Sequence, residues 1–254
     1  MRHSAVTILV SMAGKGDRFR TAGYELPKYA LEAVGRTLLN WSLCSLRPLF
    51  QSGRVLFVFC EADNHDGSIA DLISSECSDL GVADYVLIPL SNRTRGQAET
   101  AFLGLMEEAP QAPLLIWNID TYVEPRALIG VGRSPQNAFY CFECFEDRSY
   151  SWVRKDESSG HALEVREKEK ISQFAGVGLY EFATVELFRD TYLKTYGKGP
   201  SQSVRELYVA PLYGTLIDQQ IRVDAPLIDA SAVHILGTPV EYEDWRETFR
   251  IPYV

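Results

Sequence analysis

Apolar and polar positions follow two rhythms along the chain. Val6 to Met12, Arg54 to Cys60 and Pro113 to Trp117 are short, continuous apolar runs, as expected of strands buried on both faces, and Tyr85 to Ile88 also reads as a strand. Between them, Thr37 to Leu46, Ile69 to Cys77 and Gln97 to Glu108 carry apolar residues at helical spacing, with Gly96 just before the last. Strand and helix alternate in units of about thirty residues, which predicts a parallel sheet wrapped by helices with ligands at the carboxyl ends of its strands. After about Ala138 the rhythm changes. Phe139 to Phe145, Tyr150 to Arg154 and Ala162 to Glu167 read as antiparallel strands, with Asp156 to Gly160 as a turn. Thr184 to Tyr196, Ser203 to Gln219 and Glu241 to Arg250 read as helices. No low-complexity linker and no internal repeat interrupts the chain. The reading is one α/β domain over 1–254, with a nucleotide-binding half at 1–137 and an acceptor-binding, mixed-sheet half at 138–254 once the chemistry below is added.

Composition narrows the functional classes. Lys and Arg number 25 against 34 Asp and Glu, a net charge of −9, and the basic residues are scattered, so a nucleic-acid partner is not expected. No apolar run approaches the roughly 18 to 20 residues of a membrane span, and no membrane partner is expected. The opening segment mimics a secretory signal, since Arg2 and His3 precede a short apolar stretch, but it reads better as a first strand feeding a glycine loop. Five cysteines are an odd number in a chain too long to need staples, which favours reduced thiols and a cytoplasmic location. Cys141 and Cys144 form a lone C-x-x-C among aromatics, read as buried thiols rather than a zinc site.

The first strand ends in Met12-Ala13-Gly14-Lys15-Gly16-Asp17-Arg18-Phe19. Two glycines one residue apart let the backbone turn and point N–H groups at an anion. A P-loop is excluded because Lys15 is neither placed nor followed as that motif requires, and a dinucleotide fingerprint is excluded because Phe19 stands at the third glycine. Nine residues beyond Arg18 comes Pro27-Lys28, then Tyr29-Ala30-Leu31 and Gly35 before a helix.

The compound motif GKGDRFRTAGYELPKYAL resembles the signature of the nucleotidyltransferases that join a nucleoside triphosphate to a sugar phosphate, in the branch seen in capsule and surface-polysaccharide pathways. Further segments resemble family motifs in chain order: TRGQAET at Thr94 to Thr100, NID at Asn118 to Asp120, VREKEK at Val165 to Lys170, AGVGLYEF at Ala175 to Phe182, and LGTPVEY at Leu236 to Tyr242. The resemblance spans nearly the whole chain. It implies a Rossmann-like, three-layer α/β/α, GT-A-like fold with a mixed central sheet, and an enzyme that transfers a nucleoside monophosphate and releases pyrophosphate.

The same resemblance assigns roles. Arg18 grips the leaving β- and γ-phosphates, and Lys28 meets the α-phosphate as charge builds on its oxygens. Asp120 holds Mg²⁺. Met12, Ala13, Gly14, Gly16, Gly96, Gln97 and Asn118 bind the nucleotide, while Lys168, Glu167 and Tyr150 bind the acceptor. Trp117 and Trp152 are further candidates for the acceptor wall, although large aromatics in strands usually pack in the core. Glu241, Glu243 and Asp244 read as a solvated helix start, and His161 and His234 as structural. The expected partners are a nucleoside triphosphate and a sugar phosphate or other small phosphate monoester; a homo-oligomer is compatible with the sequence.

Two positions depart from the family pattern. Asp17 stands where Thr or Ser is common, and Ile235 stands where many members carry a second metal-binding Asp. Asp229 and His234 are the nearby candidates to replace that acid. The alternatives carried forward are a GT-A-type glycosyltransferase, which would usually show Asp-x-Asp where this chain has Asn118-Ile119-Asp120, and a nucleotide-binding pseudoenzyme. The sequence leaves the base and the acceptor open.

Overall fold

The computed structural model describes residues 6–14, 16–64, 66–146, 148–197 and 206–250. In chain order the first half contains β1 (Val6–Ser11), α1 (Asp17–Thr21), the short strands β2 (Glu32–Ala33) and β3 (Arg36–Thr37), α2 (Leu38–Ser45), β4 (Gly53–Cys60), α3 (Ser68–Leu80), β5 (Tyr85–Leu90), α4 (Gln97–Gly104), β6 (Leu114–Asn118) and β7 (Thr121–Val123). The second half contains β8 (Ala138–Glu143), β9 (Ser151–Lys155), β10 (Ala162–Glu167), β11 (Phe174–Phe182), α5 (Val185–Tyr196), α6 (Ala210–Asp218), β12 (Leu227–Ile228), β13 (Val233–Ile235) and α7 (Pro239–Thr248).

The apolar runs pair as their burial requires. The main sheet runs β10-β9-β11-β6-β1-β4-β5, with β8 joined to β11 and β12. Strands β1, β4, β5 and β6 are parallel, while β9, β10 and β11 are antiparallel to their neighbours, so the sheet is mixed. Successive side chains of each strand enter opposite faces. Ile8, Val10, Val55 and Phe57 pack under α2, α3 and α7, whereas Leu9, Leu56 and Val58 pack under α4, α5 and α6. The result is the three-layer α/β/α architecture.

Three features depart from the sequence reading. The stretch before Lys28 contains α1, too short for helical periodicity to declare itself; Gly16 at φ 65° starts it, and Phe19 buries against Tyr24 and Tyr242. The helix expected over Ser203 to Gln219 begins only at Ala210, because Leu207 is instead held in backbone hydrogen bonds to the segment around Gly96; Ser203 to Arg205 lie outside the described residues. Trp117 and Trp152 are fully buried in the core and wall no site.

Strand β11 changes partners midway. Its register slips between Gly176 and Tyr180, and Gly178 sits in the slip at φ 84°. A Cβ there would lie 2.5 Å from the Asn118 side chain, so the glycine makes room for Asn118 as well as permitting the bend.

At the other end of β11, Glu181 is 1% exposed. One oxygen accepts from the Tyr140 hydroxyl at 2.7 Å and from Gln136 at 3.0 Å, while the other has no partner. Burial pushes its carboxyl above the ordinary range against those hydrogen bonds. A raised folded value means that the protonated form is favoured by folding, so this contribution is present at low pH and is lost as pH rises past the unfolded Glu value of about 4.3. Glu181→Gln is therefore expected to stabilise the protein at pH 7 by roughly 1 kcal/mol, a rise of about 2–4 °C in Tm. It should also flatten the loss of stability above pH 4.3. A lower Tm at pH 7, measured by calorimetry, would show that the charged form is accommodated.

Candidate active site

The carboxyl ends of β1 and β6 place the glycine loop and the N-I-D segment side by side, since the two strands pair in parallel from Thr7↔Leu114 to Ser11↔Asn118. Met12 and Ala13 are buried, and Met12 is tied to β4 through its N–H to the Val58 carbonyl at 2.8 Å. Gly14 is exposed and Gly16 is partly exposed ahead of α1, while Lys15 lies outside the described residues. Asp17 is exposed in the first turn of α1, where the helix dipole favours an acid.

Pro27 enters a single 3₁₀ turn, Lys28–Ala30, that turns Lys28 towards the end of β6. Its Nζ lies 2.6 Å from Asp120 Oδ2, and the side chains are 25% and 19% exposed. Burial pushes the Asp120 carboxyl up, but the charge and hydrogen bond of Lys28, with the charge of Arg18, outweigh it and hold the group below its ordinary value. Asp120 is thus an ionised carboxylate at a strand end. Arg18 is exposed, and its charge also acts on Glu167 and Tyr208.

The loop around Gly96 is held from several directions. Arg95 binds Glu99 through Nε at 2.8 Å and through its backbone N–H at 2.6 Å, and the Thr94 and Thr100 hydroxyls meet at 2.6 Å. Gly96 adopts φ 151°, and a Cβ there would lie 2.5 Å from the Leu207 carbonyl oxygen. Only glycine lets the two backbones approach this closely. At the start of α4, Gln97 Nε2 donates to Asn118 Oδ1 at 2.5 Å, joining two of the nucleotide candidates. Asn118 is fixed from behind as well: Trp117 Nε1 donates to Ser42 Oγ at 2.7 Å, and that hydroxyl donates to the Asn118 carbonyl at 3.1 Å.

The acceptor candidates form a second group. Lys168 stands at φ 60°, and its N–H donates to the Tyr150 carbonyl at 2.9 Å. Its ammonium lies 4.4 Å from the centre of the Tyr208 ring and 3.7 Å from Glu206. Glu167 accepts from the Ser151 hydroxyl; burial pushes its carboxyl up against that bond and the charges of Lys168 and Arg18. The Tyr150 hydroxyl donates to Glu241 Oε1 at 2.8 Å, and burial together with Glu241 pushes its phenol up, so it remains a donor.

Glu241 corrects the sequence reading. Its side chain is only 10% exposed, and Arg148 approaches it at 3.6 Å, so it is not a solvated helix start. The T-x-x-E spacing from Thr238 marks a helix cap in the sequence but carries no sign of what the carboxylate faces. The two candidates to replace the acid absent at Ile235 sit just before it, at a 3₁₀ turn and in β13. Asp229 caps a turn by accepting from the Ser231 N–H at 2.9 Å, and the ring of His234 stacks on Tyr122. Glu243 bonds the Tyr24 hydroxyl at 2.5 Å and pairs with Arg246 at 2.6 Å. His161 bonds Asp224 at 2.8 Å.

Periodicity also missed a rim pair. Asp63 binds Arg93 and lies 3.8 Å from Arg20, and Arg93 donates to the Gly14 carbonyl at 3.4 Å, bracing the glycine loop from the end of β5. Asp63 and Arg93 follow different strands, β4 and β5, and only the sheet order brings them together.

The chain is similar to a solved nucleoside-diphosphate-sugar pyrophosphorylase from Vibrio cholerae RC9, with 31% identity and a TM-score of 0.84 over 95% of this chain and 100% of that one. It is also similar to the inositol-1-phosphate CTP transferase from T. maritima, with 17% identity and a TM-score of 0.71 over 95% of this chain and 93% of that one. A third likeness is to a structure assigned as a glucose-1-phosphate thymidylyltransferase from Bacillus anthracis in complex with a sucrose, with 13% identity and a TM-score of 0.74 over 98% of each chain. These last two likenesses are of fold alone. No protein-family profile and no curated protein matches the chain.

Proposed function

The chain belongs to the nucleotidyltransferase family that contains the nucleoside-diphosphate-sugar pyrophosphorylases, and from that premise we propose that it transfers a nucleoside monophosphate to a sugar phosphate for surface-polysaccharide precursor synthesis. The observation that carries this reading is the Lys28–Asp120 pair, set at the end of β6 beside the glycine loop.

An acceptor phosphate oxygen attacks the α-phosphorus, a new P–O bond forms, and the bond to pyrophosphate breaks with its electron pair on the leaving group. Little covalent work falls to the protein, so alignment and charge neutralisation dominate. On this reading Lys28 meets charge growing on the α-phosphate, and the exposed Arg18 engages the leaving phosphates. Gln97 and Asn118, linked to each other, supply the amide groups for the nucleoside. Glu167, Lys168 and Tyr150 provide the acceptor side.

The donor set suits Mg²⁺, a hard cation that takes oxygen ligands and is usually held by one or two carboxylates together with substrate phosphates. Asp120 is the ionised carboxylate that would hold it. Among the described residues no group of three or more acid, Cys or His side chains is placed to bind a metal, so further oxygens would come from the nucleotide. Bound there, the cation would supply charge neutralisation between phosphates. No described helix is long and apolar enough to cross a membrane, which is compatible with a cytoplasmic enzyme working on small phosphates.

The test is pyrophosphate release with Mg²⁺ from CTP, UTP, GTP, ATP or dTTP against a pooled set of sugar phosphates and small phosphate monoesters. Release that requires one triphosphate and one acceptor together is expected. Nucleotide binding with no release from any pair would overturn the transferase reading.

A further inference from the structure

Two carboxylates flank a residue that has no side chain. A Cβ built on Gly237 would lie 3.1 Å from Asp120 Oδ2 and 3.8 Å from Glu241 Oε2. Gly237 is outside the left-handed region, so backbone conformation does not demand glycine there. The missing side chain leaves a gap beside Asp120 Oδ2, which takes Lys28 Nζ at 2.6 Å, and beside Glu241 Oε2, which takes Thr238 Oγ1 at 2.9 Å.

The backbone brings this gap to the Asp120 side of the site. Strand β13 pairs antiparallel with β7, and the Leu236 N–H donates to the Asp120 carbonyl at 2.8 Å. The turn Gly237-Thr238 then starts α7, with Thr238 as its N-cap and Glu241 as its third residue. In the ribbon, Ile235 lies opposite Thr121 and offers no oxygen.

Glu241 is held in place by residues from both sides of the site. Thr238 Oγ1 donates to Oε2 at 2.9 Å, while Oε1 takes the Tyr150 hydroxyl at 2.8 Å and lies 3.6 Å from Arg148. A glutamate serving only to cap α7 needs neither Tyr150 nor Arg148 from the β8–β9 connection. The capping bond from the Glu241 N–H to Thr238 Oγ1, at 3.2 Å, is made whatever the side chain at 241.

From this arrangement we infer that Glu241 is the second protein oxygen donor of the divalent-cation position headed by Asp120, reaching it across Gly237 in place of an acid at Ile235. The inference rests on the transferase reading, in which Asp120 holds the metal. Mg²⁺ tolerates this sparse protein donor set because it keeps waters and substrate phosphates in its shell. An oxygen that does not touch the ion directly can orient one of those waters and still alter affinity.

Metal binding separates the two readings without any assay of turnover. Mn²⁺ titrations of the full chain, followed by EPR and by water-proton relaxation, are made alone and with each of CTP, UTP, GTP, ATP and dTTP. Glu241→Gln, which preserves an acceptor for Tyr150, is expected to weaken Mn²⁺ binding about tenfold or more, with nucleotide binding in EDTA unchanged. Asp120→Asn should weaken it at least as much. Wild-type Mn²⁺ affinity in Glu241→Gln beside a loss in Asp120→Asn would overturn the role of Glu241 and leave the Asp120 reading intact. Wild-type affinity in both would overturn the two together. Gly237→Ala is the second variant, because it closes the gap while keeping both carboxylates. Loss of Mn²⁺ affinity in folded Gly237→Ala supports the assignment, and retention overturns it even if Glu241→Gln fails to fold.

Discussion

Lys28→Ala is expected to lower kcat by about 10²–10³-fold while the affinity for nucleoside triphosphate changes little. The reason is where the ammonium sits. It is aimed from the turn after Pro27 at the end of β6, and it already neutralises one anion, Asp120, at 2.6 Å. On the proposed reading, the triphosphate brings further negative charge to this place, and bond formation at the α-phosphorus increases it. A group whose contribution grows along the reaction affects turnover more than binding. The substitution also leaves the partly buried Asp120 carboxylate without its cation, a cost of roughly 1–3 kcal/mol in stability. Stability and catalysis separate in a double variant. Lys28→Ala with Asp120→Asn should recover most of the lost Tm, since no unpaired charge remains, and should recover none of the turnover. Stopped-flow pyrophosphate release and calorimetry on the four proteins measure both quantities. Turnover in Lys28→Ala within a factor of about three of wild type would remove Lys28 from the transition state.

Gly96→Ala should have the largest structural effect of any single methyl group added to the site. At φ 151° an L-residue is strained, and the new Cβ would meet the Leu207 carbonyl oxygen at 2.5 Å and its nitrogen at 2.7 Å. Both atoms are backbone, held by Leu207 N–H to the Arg95 carbonyl at 3.0 Å and by Ala98 N–H to the Leu207 carbonyl at 2.9 Å. They cannot swing aside as the end of a flexible side chain would. Relief requires breaking these bonds and displacing the start of α4, which carries Gln97 and through it the 2.5 Å contact to Asn118. Nucleotide affinity is expected to fall by tenfold or more, with a stability loss of about 2–3 kcal/mol. Calorimetry and equilibrium dialysis with radiolabelled triphosphate would read the two effects. A variant with wild-type affinity and Tm would show that the Leu207 segment can move away at no cost, and that the close approach is incidental to nucleotide binding.

Much of the frame was legible in the chain because it depends on local pattern. The runs in β1, β4 and β6 are continuous and apolar since both faces of a central parallel strand are covered, and that leaves an unmistakable trace. Helix α1 left none: five residues make little more than one turn, and only Phe19 among them is buried. The onset of α6 was misplaced for a different reason. Leu207 has the apolar character of a helix residue, but its backbone groups are taken by Arg95 and Ala98, a tertiary contact that no window of neighbouring residues contains.

The site divides along the same line. Arg18, Lys28 and Asp120 stood out because they belong to compound motifs of fixed order, and the fold places Lys28 against Asp120. Glu241 did not stand out, since its meeting with Tyr150 spans 91 positions and its sequence context is that of an ordinary helix cap. By itself the sequence determined the strand-loop-helix order, the two-sided burial of the central strands and the residue types available for phosphate chemistry, because these follow from neighbours along the chain. Only the tertiary structure decided that Gly178 yields to Asn118, that Gly96 yields to Leu207 and that Gly237 separates Asp120 from Glu241. Those are contacts between distant segments, and an absent side chain gains its meaning only from what has packed beside it.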